Sequence, residues 1–336
     1  MTENEMITLI IPVYNAQDYL KKCLDSIIHQ SFENLEILCI DDGSTDGSLQ
    51  LLENYKREDQ RIIILIQNNK GAGPARNLGI QKANGSYLFF IDADDWFPDK
   101  FVLEELYKAA RKNRTDICGG SICYLNENGI VKDKSNQHHF IKEGWMDFSD
   151  FQWDYGFYRY LYRRDFLIEN KITFPDLRRY QDPPFLLNAM IKAKKFYAIT
   201  KEVYCFRIKK ENFENWNFVK VNDLIKGILL CINIAKENNL NQVMKNNLKR
   251  INKDFSYAFV SSVKQGNTEL KGFLDEADLL AKEIMNDKSY TIMPLRILSG
   301  EKTAIVQDLF GRTIESLKEH GLRYTIHRIL TFTGLK

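Results

Sequence analysis

The stretch Met6-Ile7-Thr8-Leu9-Ile10-Ile11-Pro12-Val13-Tyr14-Asn15 decides how the chain is read. It opens as a nearly continuous apolar run, the pattern of a strand buried on both faces. The apolar residues after it change period, because Leu20, Leu24, Ile27 and Ile28 recur at helical spacing. Asn15 stands where a side chain would cap that helix. A buried strand feeding a helix predicts a parallel sheet covered by helices.

The pattern repeats outward. Leu35 to Ile40 and Ile62 to Ile66 read as further buried strands, and Ser48 to Arg57 between them sets Leu51, Leu52 and Tyr55 on one helical face. Tyr87 to Ile91 makes a fourth strand, so the first hundred residues run β-α-β-α-β-α-β. Pro98-Asp99 then predicts a helix to about Lys112, since proline is tolerated in a first turn and aspartate accepts free amide hydrogens. A strand near Ile117 follows. Val131 to His139 reads as a surface loop, Phe148 to Tyr162 is dense in aromatics, and the pattern is helical from about Val219. The expected fold class is α/β, a doubly wound mixed sheet over residues 1–218 with a helical C-terminal domain over 219–336.

Composition narrows the function classes. Of 336 residues, 44% are hydrophobic and 12% aromatic, which disfavours disorder. Lys and Arg number 47 against 45 Asp and Glu, and a net charge of +2 leaves no footprint for nucleic acid. The length exceeds the ~250–300 residues at which single cores stop growing, which predicts two units. Apolar runs fall far short of the ~20 residues a membrane-spanning helix needs. Met1 to Glu5 is polar and acidic, unlike a secretory signal. Cys23, Cys39, Cys118, Cys123, Cys205 and Cys231 form no Cys-x-x-Cys pair and read as buried thiols of a cytoplasmic protein.

In a doubly wound sheet, ligands bind beyond the carboxyl ends of the strands. Those positions hold Pro12 to Asn15, Asp41-Asp42-Gly43-Ser44, Asn68 to Arg76, and Asp92-Ala93-Asp94-Asp95. Carboxylates two apart at a strand end suit magnesium or manganese, hard cations that bridge to substrate phosphates. The plainer account is an acidic turn capping the next helix. Asp42, Ser44, Asp46, Gly47 and Glu53 fall at EF-hand spacing, but that motif needs a helix where Leu35 to Ile40 reads as a strand. A carboxylate there suits instead the N–H of a nucleobase. Gly71-Ala72-Gly73-Pro74-Ala75-Arg76 departs from a dinucleotide loop at its sixth position and follows the third strand, not the first. Its glycines let backbone approach a ligand, and Lys70 and Arg76 suit phosphates or the organisation of Asp92. The alternative is a helix N-terminus with an exposed arginine.

Taken in order, Ile-Ile-Pro-Val-Tyr-Asn at 10–15, Asp-Asp-Gly-Ser-Thr-Asp at 41–46, Gly-x-Gly-x-Ala-Arg-Asn-x-Gly at 71–79 and Asp-Ala-Asp-Asp at 92–95 closely resemble family 2 glycosyltransferases, over about residues 6–210. The resemblance implies a GT-A fold, a nucleotide-diphosphate sugar donor, a divalent Mn2+ or Mg2+, and inversion at the anomeric carbon. It implies a nucleotide-binding half over 1–115 and an acceptor half over 116–218. By position, Pro12, Val13, Tyr14, Asn15, Asp42, Gly73, Arg76, Asp92, Ala93 and Arg207 would bind the nucleotide sugar. Asp94, and second Asp95, would hold the metal.

The family's acidic residue at a helix start falls on Asp182 within Arg179-Tyr180-Gln181-Asp182-Pro183-Pro184-Phe185, the implied general base. A plain helix N-cap is the alternative for Asp182. Gln181 stands where the family often has Glu, and Lys209-Lys210-Glu211 replaces the small polar residues usual beyond Arg207. Phe148, Phe151, Trp153, Tyr155, Tyr158 and Tyr160 suit either an acceptor wall or core packing, with core packing expected for most. Leu317 to Leu335 sets Leu322, Ile326, Ile329, Leu330 and Thr333 on one helical face, fit for docking on the protein or for peripheral contact with a membrane's inner face. The expected activity is transfer of a sugar from a UDP-linked donor to a hydroxyl of a glycan or lipid-linked oligosaccharide in bacterial surface polysaccharide synthesis. Competing classes are a sugar-phosphate nucleotidyltransferase, which wants a glycine-rich basic loop where Pro12 to Ala16 stands, and a non-catalytic sugar-nucleotide-binding subunit.

Overall fold

The chain runs β1 (Ile7–Val13), α1 (Gln17–Ile28), β2 (Leu35–Asp41), α2 (Ser48–Glu58), β3 (Ile62–Ile66), α3 (Ala72–Lys82), β4 (Tyr87–Phe90) and α4 (Val102–Asn113). It continues through β5 (Ile117–Asn126), β6 (Gly129–Val131), β7 (Gly144–Asp147), α5 (Phe148–Phe151), β8 (Tyr160–Arg163), α6 (Arg164–Glu169), α7 (Asp182–Ala193) and β9 (Lys195–Arg207). The structure is a computed structural model that describes residues 5–126, 129–131, 138–208, 216–301 and 304.

The strands form one mixed sheet in the order β3-β2-β1-β4-β8-β5-β9-β7, with β6 beside β5. β1 pairs in parallel with both β2 and β4, so it has a neighbour on each side and a covered face above and below. That explains its nearly continuous apolar run, in which only Pro12 is not fully buried. β2 is buried throughout. β3 departs from the reading as a buried strand: it lies at the sheet edge, with Ile63 38% and Ile66 65% exposed. Antiparallel β8 divides the sheet between β4 and β5, which makes it mixed, as expected.

One sheet face packs Ile7, Leu9, Ile11, Ile37 and Cys39 against Leu20, Cys23, Leu24 and Ile27 of α1, Leu52 and Tyr55 of α2, and Leu103 and Leu106 of α4. The other face receives α3 closely. A Cβ on Gly79 would stand 2.5 Å from Ile10 Cγ2, so only glycine lets this helix sit so near β1. Beside it, Phe90, Phe157, Phe174 and Phe185 form an aromatic cluster in which Phe174 and Phe185 stack at 3.9 Å.

Two local expectations fail for the same reason, a distant partner. Asn15 does not cap α1; it adopts a left-handed φ of 47° and its Oδ1 accepts from Thr45 N. The free amides at the start of α1 go instead to the β2–α2 loop, where Ser48 Oγ accepts from Ala16 N and Asp46 Oδ2 from Gln17 N. Likewise α4 begins at Val102, not at Pro98. Asp99 closes a local turn with Phe101 N, while Gln30 Oε1 accepts from Leu103 N in the helix's first turn.

The described residues form two compact units, one of those up to 208 with 230–243 and one of 216–229 with 244–301 and 304. Beyond β9 the described residues are helical: α8 (Phe218–Glu237), α9 (Asn241–Lys249), α10 (Ser256–Lys264), α11 (Thr268–Met285) and α12 (Met293–Leu298). Within the second unit, Asn267 Nδ2 donates to Asn222 Oδ1 and to Ser262 Oγ, and Asn222 Nδ2 to Glu269 Oε2, a buried polar knot joining three segments. All six cysteines are buried and none is in a disulfide. Among the described residues no helix is long and apolar enough to cross a membrane. Lys209-Lys210-Glu211, the segment Leu317 to Leu335 read as a helical face and most of the Val131 to His139 segment lie outside the described residues.

Candidate active site

The carboxyl ends of β1, β2 and β4 bring three predicted segments together, and Arg76 of α3 joins the third to α7. Its guanidinium is 3% exposed; Nη2 donates to Asp92 Oδ1 at 2.6 Å and Nη1 to Asp182 Oδ1 at 2.7 Å. Phe157 and Phe174 flank its plane at 4.6 and 5.2 Å. Burial opposes a charged guanidinium, but Asp92 and Asp182 outweigh it and hold the Arg76 pKa above its ordinary value. The exposed arginine of the plainer alternative is thus excluded.

Asp182 is the first helical residue of α7, not its N-cap, and makes no capping bond; Gln181 holds the cap position. The sequence shows why. Pro183 and Pro184 have no amide hydrogen, which removes two of the donors an N-terminal aspartate would satisfy. Its carboxylate therefore faces Arg76 and remains partly open, with 34% of the side chain exposed. Burial, reinforced by Asp92 and opposed by Arg76 and Arg179, pushes the Asp182 carboxyl above its usual range.

The Asp92 to Asp95 turn has two different halves. Asp92 and Asp94 are half-buried. Asp95 is 2% exposed with both oxygens engaged: Oδ2 accepts from Tyr204 Oη at 2.8 Å and Oδ1 from Arg207 N at 2.7 Å. Tyr204 Oη in turn accepts from Asp92 N at 3.1 Å. Burial, with Asp94 and Asp92 adding like charge, raises the Asp95 carboxyl well above its usual range. Asp95 thus ties the acidic turn to β9, which argues against its place as a metal ligand. Arg207 arrives by the same tie; its Nε donates to Asp94 O, and its guanidinium lies over Trp96 and Tyr19 at 4.9 and 5.0 Å.

The predicted nucleobase residues occupy the β1 and β2 ends. Tyr14 presents a 50% exposed ring, whereas Val13 and Ala93 are buried, and Val13 O accepts from Asp42 N. Asp42 is 3% exposed. Its Oδ1 accepts from Gln67 Nε2 and Lys70 N, and its Oδ2 from Gly71 N. Three of about four acceptor positions on the carboxylate are thus used within the chain. Gly73 faces the segment leading into α7: a Cβ there would lie 3.1 Å from Pro175 O and 3.3 Å from Gln181 Cγ. Of the aromatic wall, Phe148 and Tyr160 are core. Tyr158 stacks on Tyr204 at 4.3 Å, and Phe151 packs on Phe140 and Phe196.

Sequence reasoning missed Tyr204 as the clasp on the acidic turn and Arg178, which donates to both Asn69 Oδ1 and Asn69 O. Neither carries a local signal, because their partners lie a hundred or so residues away.

A mixed sheet of this order with carboxylates gathered at its strand ends has the GT-A layout. The model of glycosyl transferase family 2 matches residues 8–176, half of the chain, and the chain belongs to that family. A poly(ribitol-phosphate) beta-glucosyltransferase of Bacillus spizizenii is 33% identical over 213 residues, 61% of this chain and 32% of the relative. Glycosyltransferase GlyA of Streptococcus pneumoniae is 42% identical over 128 residues, 38% of this chain and 18% of the relative. The chain therefore matches about a third or less of the length of these relatives. The crystal structure of S. aureus TarS 1-349 in complex with UDP-GlcNAc shares the fold, with a TM-score of 0.66 at 22% identity, over 95% of this chain and 93% of that one.

Proposed function

We propose that the chain is an inverting, metal-dependent glycosyltransferase that moves a sugar from a UDP-linked donor to a hydroxyl of a glycan or lipid-linked oligosaccharide in bacterial surface polysaccharide synthesis. The observation that carries this reading is the single arginine shared by Asp92, at the end of β4, and Asp182, at the start of α7. It sets an acid of the nucleotide side and a partly open carboxylate of the acceptor side at one centre. In this reading residues 1–115 serve the nucleotide and 116–218 the acceptor.

Asp182 would accept the proton of the acceptor hydroxyl as that oxygen attacks the anomeric carbon from the face opposite the leaving diphosphate, which inverts the centre. Its raised pKa makes it a better base than an ordinary aspartate. Tyr14 offers a ring for the nucleobase and Asp42 one remaining acceptor position, while Arg207 stands ready for phosphate oxygens.

Asp94 and Asp92 offer hard oxygen donors suited to Mn2+ or Mg2+. Among the described residues no group of three or more His, Cys, Asp or Glu is placed to cage a metal. Such a cation would complete its shell from substrate phosphates and water. When bound, it would stabilise the charge that accumulates on the diphosphate. The test is Asp182→Asn, which should abolish transfer with UDP affinity unchanged; undiminished turnover removes Asp182 from the base role.

A further inference from the structure

The indole of Trp96, two residues beyond Asp94, holds a cation from each of two other elements. Lys22 Nζ of α1 stands 3.3 Å from the ring centre, and the Arg207 guanidinium at the end of β9 stands 4.9 Å from it. Two like charges gathered at one buried ring repel, so the pair calls for an anion. The protein does not provide it: among the described residues no carboxylate forms an ion pair with Lys22 or Arg207. Arg207 gives its Nε to a backbone oxygen, Asp94 O, and its two terminal nitrogens have no acceptor there. Asp18 lies one helical turn before Lys22, the spacing at which an acid and a lysine pair, yet no bond joins them. Lys21 and Asp25 on the same helix do close such a pair, at 2.7 Å.

Contacts on three sides place the two cations beside the acidic turn. Cys23, next to Lys22, points its thiol at Asp92 O at 3.6 Å. Arg207 Nε is 3.1 Å from Asp94 O. The guanidinium also reaches Tyr19 in the first turn of α1, the helix that follows the loop carrying Tyr14. Lys22 and Arg207 thus lie between the ring read as the nucleobase platform and the carboxylates at 92 and 94. A diphosphate joined to both ends runs along that path.

We infer that Lys22 joins Arg207 in holding the β-phosphate of the nucleotide and is a substrate-binding residue of the transferase. The inference rests on the glycosyl-transfer reading above. Arg207 brings a planar fork fixed by its bond to Asp94, and Lys22 a point charge on an exposed stem that can follow the phosphate. Negative charge on that phosphate grows as the sugar leaves, so both cations act more strongly on the departing group than on the intact donor. Partial burial, and then the Arg207 charge, hold the Lys22 pKa below its ordinary value, a penalty that a bound anion relieves.

The test is Lys22→Met, which keeps an unbranched apolar stem on the indole and removes the charge. Binding of UDP, UMP and uridine is titrated by calorimetry in Mn2+. Affinity for UDP should fall roughly 10-fold, while UMP and uridine stay within about twofold of wild type and the melting temperature of the free protein is equal or higher. Lys22→Arg, which keeps a cation over the indole, should retain most of the preference for UDP over UMP. Unchanged UDP affinity in Lys22→Met, an equal loss across all three ligands, or a lowered melting temperature accompanying the loss would overturn the inference. Failure of the wild-type protein to bind UDP would overturn the underlying reading and this inference with it, whereas wild-type turnover by Asp182→Asn would remove the base role alone.

Discussion

Asp92 and Asp182 accept hydrogen bonds from the two terminal nitrogens of one guanidinium, that of Arg76, at 2.6 and 2.7 Å. One carboxylate follows β4 and the other starts α7, and the arginine both neutralises and spaces them. A planar fork with two donors in fixed geometry does this; an ammonium is a single point charge.

Replacing Arg76 should therefore cost activity even when charge is kept. Arg76→Lys is expected to slow transfer by roughly 100-fold through misplacement of Asp182. Arg76→Ala should in addition lower stability by about 3 kcal/mol or less, because a broken buried pair costs about 3–5 but both carboxylates keep some water contact. Initial rates and urea unfolding measure the two effects. A lysine variant with wild-type turnover would show that spacing is irrelevant.

The pH profile follows from the burial of Asp182. A base must be ionised to work, so kcat/KM should fall on the acid side as pH drops through the Asp182 pKa. Burial holds that value up, and the midpoint should lie above the ordinary ~3.9 of aspartate. Asp92→Asn removes a like charge and leaves Arg76 to Asp182 alone, so the limb should move to lower pH. A limb that stays in place under that substitution would assign it to another group.

The acidic turn should separate into a cation-facing and a structural half. Chelation by EDTA and the substitution Asp94→Asn should each abolish the Mn2+-dependent gain in UDP affinity, read by calorimetry. Tyr204→Phe should instead strip the buried Asp95 Oδ2 of its donor and lower stability by about 1–3 kcal/mol, with the Mn2+ gain retained. Loss of that gain in Tyr204→Phe at full stability would contradict the division.

Much of the sheet was legible because it rests on local rules. A strand with parallel neighbours on both sides has no water-facing residue, so Ile7 to Val13 and Leu35 to Ile40 read as largely apolar runs. Helix ends were less legible. The amides at the start of α1 are satisfied by Ser48 and Asp46, and that of Leu103 by Gln30, donors and acceptors that local spacing does not connect. Edge position was equally hidden: Ile62 to Ile66 reads like any buried run, and only strand order exposes Ile63 and Ile66.

The site divides in the same way. Sequence by itself determined which residue types stand at the strand ends, since the motifs at 41–46, 71–79 and 92–95 follow their strands directly. Asp182 stayed open there between base and helix N-cap, and only the fold puts Gln181 at the cap and the Asp182 carboxylate against Arg76. Only the tertiary structure decided which acids remain open and which are structural. Tyr204 and the Arg207 amide engage Asp95, and Arg76 draws Asp92 and Asp182 onto one cation. The physical reason is range: propensity and periodicity act over a few residues, whereas the charge state and exposure of a carboxylate depend on whatever the fold packs beside it.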